Sequence, residues 1–179
     1  MAATLVSNKT IQVSTIINMT MKTLLIPTDF TQQSIQGIPA LVHQYYPEKV
    51  NIVLVHMLKI TDSLSELLML SRRSVEYRHI PDNFYTRCTE LQNKHSHLIN
   101  RIAINFFYGS TVAVFNNYLE ANEVDAIVRP HDNYQLLFKN SIAPQMLISK
   151  CSIKIIALPK TQGMPADIMV TEPELTEHQ

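Results

Sequence analysis

Glycine is scarce. Gly37, Gly109 and Gly163 are the only three among 179 residues. Glycine lets a loop take left-handed dihedrals and bring backbone amides close to a ligand, so this scarcity limits any phosphate-cradling loop. Tryptophan is absent, and the two cysteines, Cys88 and Cys151, form neither a metal-ligand spacing nor a CxxC pair. A disulfide-built scaffold is excluded, and both thiols are expected to be reduced and at least partly buried. Net charge is absent too, with 15 basic side chains against 15 acidic ones. A neutral chain carries no electrostatic footprint for nucleic acid or an anionic membrane. No apolar run is long enough to span a bilayer, and Gln12, Ser14 and Thr15 make the amino-terminal stretch too polar for a signal-peptide core. The expectation is a cytoplasmic protein with neither nucleic acid nor membrane as partner.

What is present is apolar residue content of 46%, enough for one sizeable core. The run Lys22–Pro27 (KTLLIP) reads as a short strand buried on both faces. Over Ser34–Tyr46 the spacing turns helical, with Ile35, Ile38, Leu41, Val42 and Tyr45 on one face; Pro39 predicts a kink or a late start. Val50–His56 is a second strand. Asp82 offers a helix cap, and the stripe Phe84, Cys88, Leu91, His95, Leu98, Ile102 predicts an amphipathic helix. Arg101–Tyr108, Asp125–Val128 and Ile153–Leu158 are the third, fourth and fifth strands. Between them Ser110 is expected to cap a helix reaching Asn122, and Ser141 to cap another with Pro144 in its first turn.

Strands alternating with helices predict an α/β fold: a doubly wound, open, five-stranded parallel sheet with helices on both faces. This domain is expected over residues 21–160. Residues 161–179, with two prolines and four acidic groups, are expected to be a disordered tail. For residues 1–20 two readings stand: an added edge strand, from the alternation of Ile11, Val13, Thr15 and Ile17, or a stretch upstream of a start at Met19 or Met21. Residues 64–70 fit one or two helical turns.

Four runs resemble universal stress proteins. LLIPTDF (Leu24–Phe30) is similar to that family's first strand and following turn, and IVLVHM (Ile52–Met57) to its second strand. EANEVDAIV (Glu120–Val128) resembles the third helix and fourth strand, and SIAPQMLISKCSIKIIAL (Ser141–Leu158) the last helix and strand. The resemblance implies the doubly wound fold and, in nucleotide-binding members, a ligand site. There the first-strand Asp approaches ribose or adenine, backbone after strand two meets adenine, and a Gly-x2-Gly-x9-Gly-Ser/Thr loop wraps the phosphates. On that pattern the ligand-binding candidates are Thr28, Asp29, Met57, Arg129, His131 and Ser141.

The cradle itself is missing. Between Arg129 and Ser141 the chain reads RPHDNYQLLFKNS, without a glycine and shorter than the family loop. Pro130 removes an amide donor where the first glycine is expected, Asp132 adds negative charge, and Asn140 replaces the last glycine. ATP binding in the family mode is therefore not expected, and no cofactor is. Arg129, His131 and Lys139 are the side chains left to hold a different nucleotide or an anion.

Each candidate also has a purely structural reading. Asp29 can cap the turn that follows it, His56 can be a hydrogen-bonded core residue, and Ser141 can be an N-cap. His95 reads as a core residue on its stripe. Two apart in sequence, His95 and His97 are expected to face different sides and to make a poor metal pair. His131-Asp132 lacks companions for metal or hydrolase chemistry, and no Ser-His-Asp or Cys-His spacing is evident. Arg72, Arg73 and Arg78 read as a solvated cluster. The fifth strand carries one charge, Lys154, and edges this apolar are seldom left bare. A homodimer through Ile153, Ile155 and Leu158 is expected, as the resemblance also implies. The functional expectation is a non-catalytic stress-response or regulatory domain acting through a protein or small-molecule partner. The alternative is a nucleotide or anion sensor built on the remodelled loop.

Overall fold

A computed structural model describes residues 21–60 and 74–158 of the chain. The expectations for residues 1–20, 64–70 and 161–179, and for Arg72 and Arg73, lie outside the described residues.

Five parallel strands form the sheet: β1 (Lys22–Pro27), β2 (Val50–Leu58), β3 (Ile99–Tyr108), β4 (Ala126–Val128) and β5 (Lys154–Ile156). Their spatial order is β3-β2-β1-β4-β5, and every neighbouring pair is parallel. The chain first builds outward from β1 through β2 to β3. It then crosses back and adds β4 on the other side of β1. A crevice opens at such a switch point, beyond the carboxyl ends of β1 and β4. The fold is thus the doubly wound α/β sheet that the alternation of elements predicts.

The strands in the middle read as unbroken apolar runs because both faces are covered. Successive side chains alternate between faces. Leu24, Ile26, Ile52 and Leu54 enter one core with Ile38, Leu41 and Phe84. Leu25, Val53, Val55 and Met57 enter the other with Phe115, Leu119, Leu147 and Ile148. The helices divide accordingly: α1 (Ile38–His43) and α3 (Asp82–Lys94) supply the first core, α4 (Val112–Ala121) and α5 (Gln145–Ile148) the second. A single turn, α2 (Ser74–Tyr77), precedes α3.

Element ends differ from expectation for local reasons. α1 starts late, with Pro39 in its first turn, where a missing N–H costs little; a 3-10 turn over Gln32–Ser34 precedes it. α3 stops at Lys94, with His95 as its C-cap, so Leu98 and Ile102 leave the helical stripe; Leu98 is buried and Ile102 joins β3. Asp82 is the first residue of α3 and Pro81 its cap. Thr111, not Ser110, caps α4, its hydroxyl accepting from the Val114 N–H at 3.3 Å. Ser141 caps no helix; Pro144 stands at that position, and the Ser141 hydroxyl is engaged elsewhere. β5 is shorter than Ile153–Leu158.

The lack of glycine has a visible consequence. No described glycine takes a positive φ, and the left-handed positions fall to Phe30 (φ 58°) and Glu123 (φ 50°). Glu123 follows the C-cap of α4. Its N–H donates to the Glu120 carbonyl at 2.9 Å, and that of Val124 to Leu119 at 2.9 Å. These two bonds form a Schellman motif, where glycine is the usual choice.

Candidate functional site

The turn after β1 is built from its own side chains. The Thr28 N–H donates to the Val55 carbonyl at 2.9 Å, extending the pairing of β1 with β2 past Pro27. The Thr28 hydroxyl accepts from the Phe30 N–H at 2.9 Å and meets the Ser34 hydroxyl at 2.8 Å. Asp29 Oδ1 accepts from the Thr31 hydroxyl at 2.6 Å and from the Thr31 N–H at 3.2 Å. These bonds hold Phe30 in its left-handed conformation, and its ring stacks on His56 at 5.3 Å. The capping reading of Asp29 thus has a physical counterpart in this turn.

The other oxygen of Asp29 faces residues more than a hundred positions away. Asp29 Oδ2 accepts from the Gln135 N–H at 3.1 Å, and His131 Nε2 lies 3.1 Å from it. Neither His131 ring nitrogen has an aligned hydrogen bond, so Oδ2 meets His131 by proximity alone. Burial pushes the Asp29 carboxyl up. The Thr31 hydroxyl, the Gln135 N–H, His131 and the Thr31 N–H together outweigh it and hold the group below the ordinary carboxylate range. A carboxylate thus saturated has 0% of its side chain exposed.

His56, at the end of β2, is the second tether. It is fully buried, as the core reading expects. Nδ1 lies 2.7 Å from the Thr28 carbonyl, which can only accept, so Nδ1 carries the proton. Nε2 of the neutral ring is then the acceptor for the Ser141 hydroxyl at 2.9 Å. Burial lowers the His56 pKa against the opposing pull of the Thr28 carbonyl and the Asp29 charge. The Ser141 oxygen in turn accepts from the Phe138 N–H at 2.9 Å. Spacing alone suggested no serine–histidine pair; parallel strands bring one together across 85 positions. Both partners hold the loop.

The loop between β4 and α5 fills the crevice with its own aromatic rings. Tyr134 stacks on His56 at 6.1 Å and donates its hydroxyl proton to the Thr28 carbonyl at 2.8 Å. Burial and the nearby Asp29 charge raise the Tyr134 pKa strongly, so it stays a neutral donor. Phe138 meets His56 edge-on at 5.3 Å. The backbone completes the closure. The Lys59 N–H donates to Asn140 at 2.8 Å, and the Ile142 N–H to Met57 at 2.9 Å. Tyr134, Gln135 and Phe138 are the site residues that the sequence reading did not single out. Their signal was two aromatics in a stretch where the resembling family has glycines.

Of the six ligand-binding candidates, Thr28, Asp29 and Met57 are buried with their polar atoms engaged by the chain itself, and the Met57 carbonyl is taken by Ile142. Ser141 is tied to His56 and Phe138. Arg129 and His131 instead line an open cleft of about 420 Å³, with Gln33, Gln36, Asp132 and Leu158 among its other walls. Lys139 is not among the residues of that cleft. On β5, Ile155 is exposed, while Ile153 and Leu158 are partly covered. Among the described residues no helix is long and apolar enough to cross a membrane.

No family model and no curated protein match the sequence. Solved structures do. The universal stress protein UspA from Lactobacillus plantarum is similar at 13% identity and a TM-score of 0.49, over 77% of this chain and 97% of that one. A universal stress protein family member from Burkholderia pseudomallei is similar at 11% identity and 0.46, over 77% and 96%. A universal stress protein in complex with cAMP is similar at 13% identity and 0.43, over 77% and 97%. These likenesses are of chain arrangement only.

Proposed function

We propose that this chain is a non-catalytic, universal stress protein-like regulatory domain whose nucleotide crevice is occupied by its own loop. The observation that carries this reading is the Asp29 carboxylate. Its two oxygens accept from Thr31 and Gln135, with His131 against Oδ2, and the space above His56 is taken by Tyr134 and Phe138. A nucleotide seated as in the resembling family would have to break these bonds before making its own. Without glycine, the loop has no stretch of side-chain-free backbone with which to wrap phosphates. At this crevice the described residues offer catalysis no open Ser-His pair, because His56 is buried and Ser141 is committed to the loop. The output would be a protein contact, with a second copy joined along the exposed edge of β5 through Ile153, Ile155 and Leu158.

Thermal melting of the full chain with ATP, AMP, cAMP and inorganic phosphate tests this. No shift is expected. A saturable rise that Asp29→Ala abolishes would overturn the closed-crevice reading, and nucleotide turnover would overturn the non-catalytic one. Light scattering at micromolar concentration tests the dimer, which a monomer mass would refute.

A second reading, the anion or nucleotide sensor, is favoured by the cleft beside the closed crevice, where Arg129 and His131 stand on one wall and Gln33 and Gln36 on another. Asp132 on the same rim opposes an anion. The distinguishing result is a melting shift that survives Asp29→Ala and disappears in Arg129→Ala.

A further inference from the structure

Beside the closed crevice the chain keeps polar groups that it does not use. The cleft of about 420 Å³ lies between the 3-10 turn after β1, the start of the loop after β4 and the end of β5. Gln33 and Gln36 stand on one wall, Arg129, Asp132 and Asn133 on another, and Leu158 supplies an apolar side. These five polar side chains are exposed. None of them enters an ion pair or a side-chain hydrogen bond with another described residue. Arg129 and Asp132 are three positions apart in sequence, so at most about 10 Å along the backbone, yet they form no bridge to each other. The Arg129 N–H donates to the Ile156 carbonyl at 2.8 Å, which fixes the root of that wall to β5. His131 also lines the cleft, but both its ring nitrogens are shut off from solvent and one lies against Asp29, so they are not ligand groups here.

We propose that this cleft binds a zwitterionic α-amino acid with an uncharged, hydrogen-bonding side chain, of the glutamine and asparagine kind. This rests on the second reading above, that the cleft takes a ligand, and puts a zwitterion in place of the anion. A cation and a carboxylate on one wall sum to no charge. A phosphate dianion would gain from Arg129 and lose to Asp132. An α-amino acid satisfies both: its carboxylate accepts from the guanidinium fork of Arg129, and its ammonium donates to Asp132. With those two charges matched, nothing ionic is left for a charged side chain. Gln33, Gln36 and Asn133 each present a carbonyl acceptor and an NH2 donor. A ligand carboxamide pairs with such groups in both directions, whereas a carboxylate only accepts and an ammonium only donates. Leu158 meets the ligand's methylene groups. The cleft volume lies near the lower end of the range for small-molecule sites, roughly 300–1,000 Å³.

The test is thermal melting and isothermal titration of the full chain with L-glutamine and L-asparagine, beside N-acetyl-L-glutamine, L-glutaminamide, L-glutamate, L-lysine and inorganic phosphate. Glutamine or asparagine should raise Tm saturably. Blocking the ammonium or the carboxylate should weaken binding at least about tenfold, as should Arg129→Ala and Asp132→Ala, since each removes a charge-assisted hydrogen bond. Lys139→Ala, at an exposed lysine outside the cleft, should leave it unchanged. The three substituted positions are exposed, and far-UV circular dichroism confirms that the variants fold. Absence of saturable glutamine and asparagine binding overturns the proposal. So does equal binding of the blocked forms, of glutamate or of lysine, and so does full affinity in Asp132→Ala. Phosphate binding that Arg129→Ala abolishes and Asp132→Ala strengthens overturns it while leaving the anion reading standing; binding of none of these ligands defeats both.

Discussion

The two ends of the sheet differ in how far their polar groups are engaged, the exposed cleft side chains and His131 apart, whose two ring nitrogens are buried without a hydrogen bond at the crevice end. Beyond the carboxyl ends of β1 and β4, where a doubly wound fold ordinarily takes its ligand, Asp29, His56, Tyr134 and Ser141 are bonded to one another or to backbone. At the other end His43 and His97 stand exposed beside His95, one of whose ring nitrogens lacks a partner. A buried polar group without a partner costs on the order of 1–3 kcal/mol. Polar groups buried at one end of the fold therefore gain by bonding internally, whereas exposed imidazoles remain satisfied by water. Chemical capacity follows unspent donors and acceptors more closely than position in the fold.

The strongest way to break this contrast is to remove the crevice carboxylate. Asp29→Ala leaves the Gln135 and Thr31 donors unpaired in a buried site and should cost about 3 kcal/mol in urea unfolding. An unchanged midpoint would mean that the loop is held by other contacts. Acid tests the same bonds without mutation. His56 is held below its ordinary pKa, so the unfolded chain takes up that proton first, and stability begins to fall as pH drops below about 6.5. Asp29 is also held below its ordinary value, so its contribution is full above the carboxylate range and is lost as pH falls through its native pKa. Urea midpoints followed downward from neutral pH should show both stages, and His56→Gln should weaken the first, to which His95, also held below its ordinary value by burial, contributes. Tyr134→Phe sharpens the contrast by deleting only the hydroxyl bond to Thr28, with an expected loss of about 1 kcal/mol. The smallest effect has the opposite sign. Glu123→Gly relieves a left-handed position outside the crevice and should stabilise by roughly 0.5–1 kcal/mol, read as a rise in Tm.

Legibility differs along the chain for physical reasons. Lys22–Pro27 could be read because a buried parallel strand writes a continuous apolar run. His56 could be read as a core residue because it ends such a run. The end of α3 could not, since Leu98 and Ile102 keep the apolar rhythm after the helix has stopped at His95. The crevice was half legible. The absence of glycine between Arg129 and Ser141 marked a loop unlike the family's, but Tyr134 meets Thr28 across 106 positions and Gln135 meets Asp29 across another 106. No local spacing encodes such pairs. The meeting of His43, His95 and His97, ring centres 6.0–6.4 Å apart, was illegible for the same reason, because His43 arrives on a different helix, and the chain turns at His95, so that His97 does not face away from it as expected.

The order of residues by itself determined the alternation of strand and helix, and with it the handed, doubly wound sheet. It also determined that no glycine-lined phosphate loop follows β4. Both follow from local rules, the side-chain period and the steric freedom of single residues. Tertiary structure alone decided what took the empty place and what was left open elsewhere. Both depend on which distant donors and acceptors the folded backbone brings within hydrogen-bonding reach, a matter of distance in space rather than along the chain.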